Sequence, residues 1–168
     1  PEFCLRPGFV RGVQMLAEYD LSFDITIDHL QLKDTIRMVA QCPDVSFILD
    51  HIGKPNIKDH LLDPWREEIK ELASFENVLC KISGMVTEAD HEKWTPDHLA
   101  PYVDHVLDVF GADRVVFGGD WPVATFATTY PRWVDTLDSL TRDLTLADKR
   151  NLWADNARRF YRLSPSQD

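Results

Sequence analysis

The chain has 168 residues, 44% of them hydrophobic and 27% charged, which is a globular composition with enough apolar material for one sizeable core. A formal charge of -10 without any lysine or arginine cluster excludes a nucleic-acid partner held on a basic surface, and three cysteines (Cys4, Cys42, Cys80) lacking CxxC spacing argue against a disulfide framework or a thiolate zinc site. No apolar stretch approaches a membrane span and the first residues given lack a basic region followed by an apolar one, so the expectation is a single domain over 1–168, cytoplasmic, with no membrane partner. Pro1-Glu2-Phe3 reads as an added sequence or as the cut edge of a longer polypeptide.

Along the chain, short apolar runs alternate with longer amphipathic segments, the pattern of βα units and a parallel sheet. The first predicted strand is Leu21 to Ile27, followed by Leu32, Ile36, Val39 and Ala40 at helical spacing. Ser46 to Asp50 is the second, with Trp65, Ile69, Leu72 and Ala73 marking the next helix. The third, Val78 to Ser83, contains Cys80 as a small buried hydrophobe and ends at Ser83-Gly84. The helix after it begins at Pro96-Asp97, carries Leu99, Val103, Val106, Leu107 and Phe110, and closes at Gly111. Arg114 to Gly118 is the fourth strand, and two helical segments follow, Pro131 to Leu140 and Leu146 to Tyr161.

Four such units fit either an open doubly wound sheet or half of an eight-stranded barrel. No glycine-rich phosphate loop follows the first strand, which argues against the dinucleotide-binding form. Polar residues at or near the strand exits, Asp24, His51, Lys81 and Asp120, recur at intervals of about 30 residues, one βα unit. That pattern favours the barrel, in which every strand contributes to one mouth.

Val115-Val116-Phe117-Gly118-Gly119-Asp120 delivers a carboxylate where parallel sheets bind their ligands; the alternative is an aspartate that caps the turn after it. His51 leaves its strand in the same way, and an imidazole there can bind a metal, polarise a carbonyl or move a proton. In a parallel barrel the exits of strands two and four face one cavity, so His51 and Asp120 are expected to meet. Lys81, a charge among apolar neighbours, either holds a substrate oxygen, neutralises Asp120 or forms a structural ion pair; Asp24 poses the same problem with opposite sign. Trp121 offers a wall for a ring-shaped ligand and Lys54 an anion anchor, the plainer readings being packing and solvated surface. The remaining histidines, His29, His60, His91, His98 and His105, read as surface residues without ligand spacing. No GxSxG elbow is present, leaving activation of water by a carboxylate, with an imidazole or a metal polarising the carbonyl under attack.

The motifs Leu49-Asp50-His51-Ile52-Gly53-Lys54-Pro55, Cys80-Lys81-Ile82-Ser83-Gly84, Phe117-Gly118-Gly119-Asp120-Trp121-Pro122 and Asn156-Ala157-Arg158-Arg159-Phe160-Tyr161 resemble the amidohydrolase superfamily. More narrowly, they are similar to its amidohydrolase-related (amidohydrolase 2) branch of metal-dependent hydrolases, which includes sugar-lactone and 2-pyrone-4,6-dicarboxylate lactonases. The resemblance runs from about Phe9 to Leu163. It implies an α/β fold, the C-terminal half (strands five to eight) of a TIM-type (β/α)8 barrel, and a hydrolase acting on a small lactone or carboxylate substrate. By the same resemblance Asp120 is the strand-eight aspartate that takes a proton from the hydrolytic water, and His51 is the strand-six histidine. Lys81 and Trp121 match motif positions that support or wall the substrate. The HxH pair of strand one has no counterpart here, and His29 is the nearest substitute for a strand-five metal histidine. The resemblance therefore implies one divalent metal such as zinc, with Asp120 and His51 as its candidate ligands, or none. A nonoxidative decarboxylase of the same superfamily and a catalytically inactive half-barrel are the alternative expectations. Two exposed sheet edges would invite self-association or mark part of a longer polypeptide.

Overall fold

The structure, a computed structural model, describes residues 2–163; Pro1 and residues 164–168, the ends of the expected domain, lie outside it. The described residues form a parallel sheet of β1 (Ser22–Ile25), β2 (Ser46–Leu49), β3 (Val78–Ile82) and β4 (Val115–Phe117), in that spatial order. All four predicted strands are present, trimmed at their ends. Interleaved with them are α1 (Pro7–Glu18), α2 (Leu32–Val39), α3 (Trp65–Ala73), α4 (Met85–Glu88), α5 (Pro96–Phe110), α6 (Tyr130–Leu140), α7 (Leu146–Arg150) and α8 (Asn156–Phe160). α1 is absent from the strand-and-helix pattern expected above, although Pro7 starts it and Phe9, Val10 and Val13 turn its apolar side inward. The predicted segment Leu146 to Tyr161 is interrupted at Asn151–Asp155 by a wider helical turn.

Side chains alternate across a strand, and here the alternation separates two chemistries. Ile25, Phe47, Leu49, Val78, Cys80, Ile82 and Val115 face the helices and join them in the main core. Their neighbours Asp24, Ile48, Leu79, Lys81 and Val116 face the opposite side. α8 covers the apolar part of that inner face, placing Phe160 against Ile48 and Val116, with Leu79, Ala157 and Tyr161 around them. Asn156 fixes α8 there: its buried amide donates to the carbonyl oxygens of Ala112 at 2.8 Å and Val115 at 2.6 Å.

The strand order runs without reversal, and α2, α3 and α5 pack side by side on one face of the sheet. No helix of the described residues is long and apolar enough to cross a membrane.

Asn156→Ala removes the amide donor from the buried carbonyl oxygen of Val115 and the half-buried one of Ala112 and should cost about 1–3 kcal/mol, measured by urea unfolding. Burial holds the Glu68 carboxyl above its ordinary range, and Lys33, 3.9 Å away, offsets only part of this. The folded state thus binds the Glu68 proton more tightly than the unfolded chain, and this residue's contribution to stability falls as pH rises through the elevated value. Glu68→Gln is expected to stabilise the protein by under about 1 kcal/mol at pH 7, a gain that vanishes below about pH 4 in the same assay.

Candidate active site

The β2 exit departs from ordinary backbone geometry. His51, Ile52, Gly53 and Lys54 all have positive φ, at 54°, 47°, 72° and 49°. Left-handed backbone costs a non-glycine residue about 1–2 kcal/mol, and a β-branched residue there is a genuine outlier. The turn is held from several sides. Trp65 Nε1 donates to the Ile52 carbonyl at 2.7 Å, His29 Nδ1 donates to the Lys54 carbonyl at 2.8 Å, and the Ile52 side chain is fully buried. Over-determined strain of this kind is characteristic of functional sites.

The turn aims the His51 ring across the β3 exit. Its Nδ1 shares a 2.8 Å hydrogen bond with the hydroxyl of Ser83, which is fully buried. Gly84 has a φ of +61°, and a Cβ on it would lie 2.6 Å from His51 Nδ1, so only glycine fits beneath the ring. From the far side comes Asp120, whose Oδ1 lies 3.8 Å from His51 Nε2; the two side chains are 12% and 19% exposed. Gly118 permits this approach, since a Cβ there would sit 2.6 Å from Ser83 Cβ and 3.1 Å from the Lys81 side chain. The Asp120 carboxylate is directed at the imidazole and does not cap the turn that follows it.

Burial pushes the His51 imidazole below its ordinary pKa; Asp120 and Asp50 pull it back up, and Lys54 and Lys81 push it down again. The balance falls below the ordinary value, so the ring is neutral at pH 7. A 3.8 Å separation is too long for a direct hydrogen bond. It suits two groups that converge on a third.

Lys81 and Asp24 belong to a tier below this pair. Both lie within strands, not at exits, because β1 and β3 continue past them to Ile25 and Ile82. Lys81 Nζ lies 2.5 Å from Asp50 Oδ1 and 3.4 Å from Asp24 Oδ2, while Tyr161 donates its hydroxyl to Asp24 Oδ2 at 2.7 Å. The remaining Asp50 oxygen accepts from Thr26 at 2.7 Å. Lys81 therefore pairs with Asp24 and Asp50 and not with Asp120. Burial alone would depress its ammonium, yet Asp50 and Tyr161 outweigh that and hold its pKa above the ordinary range. Trp121 stands on the rim, 72% exposed, so it is not a packing residue, and Lys54 is half-buried close enough to His51 to influence its charge.

Asp50 and Ser83 escaped the sequence reading, although strand alternation signals both: Asp50 is two residues beyond inward Ile48, and Ser83 two beyond inward Lys81. The reading of the other histidines as surface residues needs correction for three. His29 and His105 are half-buried because each bonds a backbone carbonyl across elements, Lys54 for the first and Arg66 for the second, and His98 is half-buried where its Nδ1 accepts from the Thr95 amide and its ring meets His60. The buried Cys80 thiol, its pKa raised by burial and then by Asp50, is no nucleophile.

As metal ligands, the imidazole and carboxylate of His51 and Asp120 fit the chemistry of zinc, which takes nitrogen and oxygen donors and usually wants at least three from protein. Among the described residues no group of three histidines, cysteines or carboxylates converges, so this pair by itself falls short of that number.

The amidohydrolase family model matches residues 4–163. The chain belongs to the amidohydrolase family. This amidohydrolase is 34% identical over 170 residues to an L-fucono-1,5-lactonase of Burkholderia multivorans, a match covering 95% of this chain and 57% of the relative. It is 23% identical over 181 residues to an L-rhamnono-gamma-lactonase of Scheffersomyces stipitis, covering 94% of this chain and 54% of that one. Among solved structures, an amidohydrolase from Burkholderia multivorans with bound zinc superposes with a TM-score of 0.93 at 34% identity, over 96% of this chain and 60% of that chain. The chain thus spans only a little over half the length of the proteins it resembles.

Gly84→Ala drives a methyl group into the His51 ring and imposes a left-handed alanine. Its expected cost is about 1–3 kcal/mol by urea unfolding, with displacement of the ring from Ser83 visible in a crystal structure of the variant.

Proposed function

We propose that this amidohydrolase is strands five to eight of a (β/α)8 barrel and acts, within the complete barrel, as a hydrolase of small sugar lactones. The observation that carries the reading is the approach of Asp120 Oδ1 to His51 Nε2 across an intervening strand. Support comes from the unreversed strand order, from the lactonase names of its relatives, and from their additional length, which suffices for the missing units.

Asp120 takes a proton from water as the water oxygen bonds to the lactone carbonyl carbon. His51, neutral and oriented by Ser83, presents either an Nε2–H to the carbonyl oxygen or a bare Nε2 to a cation. Collapse of the tetrahedral adduct breaks the bond to the ring oxygen, which receives the proton from Asp120, and a hydroxy acid results. A divalent metal held by His51 and Asp120 would polarise the carbonyl and acidify the water. Trp121 and Lys54, at the rim, contact the substrate: the indole lies along the ring and the ammonium meets its oxygens.

In the natural polypeptide that carries this sequence, Asp120→Asn should lower lactone hydrolysis by about 10³-fold with the far-ultraviolet circular dichroism unchanged. Turnover retained by the variant, or release of carbon dioxide in place of acid by the unmodified protein, would reject the reading.

A further inference from the structure

The strained turn that carries His51 is anchored on its outgoing side by Trp65 and His29. On its incoming side stands Asp50, and both oxygens of that carboxylate are engaged: Oδ1 by Lys81 and Oδ2 by Thr26. Asp50 thus ties the end of β2 to β3 and to the segment after β1. The tie continues downward, since Lys81 also meets Asp24, which accepts from Tyr161 at the end of α8. Burial, reinforced by Asp24, raises the Tyr161 hydroxyl to about 12, so it remains a donor.

A lysine that anchored a substrate anion would need a free ammonium facing the mouth. Lys81 has its ammonium between two carboxylates, with its side chain 19% exposed and its stem packed where Gly118 leaves room.

We infer that Asp50 and Lys81 are positioning residues, an ion pair that pins the left-handed turn and so holds the His51 ring toward Asp120, and that Lys81 does not touch the substrate. The inference rests on the assignment of His51 and Asp120 as the reacting pair. Asp24 and Tyr161 complete the pair from below, making α8 part of the support of the mouth.

The test uses the natural polypeptide and L-fucono-1,5-lactone as probe. Lys81→Met is expected to lower kcat by about 10–100-fold with KM changed less than about threefold, because two carboxylates are left facing one another beneath the turn. Asp50→Asn/Lys81→Met, which relieves the unpaired carboxylate but does not restore the pin, should recover about threefold of that loss and stay below the unmodified protein. Tyr161→Phe should lower kcat by about threefold at constant KM. A raised KM with kcat preserved, or no recovery in the double variant, would overturn the inference in favour of a substrate contact. If Lys81→Met fails to fold, the comparison of Asp50→Asn/Lys81→Met and Tyr161→Phe with the unmodified protein still decides it by the same split of kcat and KM. Should the unmodified protein hydrolyse no lactone, the sugar-lactone reading fails separately. The inference is then read from the nitrogen-proton correlations of the His51 ring, which must shift or split in Tyr161→Phe and in the double variant; unchanged ring signals overturn it.

Discussion

An ammonium set in the inner face of a β-sheet must be neutralised where it stands, and the site is built around that requirement. Lys81 sits between Cys80 and Ile82, both fully buried toward the helices, so strand alternation leaves its side chain nowhere to go but inward. Removing such a charge from water costs several kcal/mol unless partners replace the solvent. The partners come from three other elements: Asp24 from β1, Asp50 from the β2 exit and Tyr161 from the end of α8. One strand's lysine therefore dictates how the neighbouring strands and the last helix are placed.

The same pairing reaches the chemistry through the chain itself. Asp50 is covalently next to His51, and the backbone turns left-handed immediately after it. That conformation persists only because hydrogen bonds, a buried isoleucine and the Asp50 carboxylate hold it on both sides. Close contact with two glycines does the rest: Gly84 lies under the imidazole, and Gly118 lets β4 approach Ser83 and Lys81. The neutral, half-buried ring and the carboxylate facing it form a pair suited to handling water and a carbonyl at neutral pH.

Local pattern carried much of this architecture. The βα rhythm located all four strands within a few residues, because alternation of apolar runs with amphipathic segments is imposed by burial on one side of a helix and in the middle of a sheet. Pro96 and Gly111 bounded α5 as expected, since capping depends on nearby residues. The order of the strands made the meeting of His51 and Asp120 predictable from parallel topology. α1 precedes the first strand and so stands outside the strand-then-helix rhythm that marks the later elements, and the break at Asn151–Asp155 has no local marker such as proline or glycine.

The identity of the exits, the glycines beside them and the family motifs are properties of the linear chain, because each depends on residues adjacent to one another. Which charge meets which is not. For Lys81 the linear chain leaves open a substrate oxygen, Asp120 or a structural ion pair with no partner named, and its shortest contact is with Asp50. Ser83 reads as the end of a strand until the sheet register and the turn at His51 bring the imidazole to its hydroxyl. Those outcomes needed the tertiary structure, because the distance between groups on different strands is set by register, twist and the crossing of α8, none of which any local run of residues encodes.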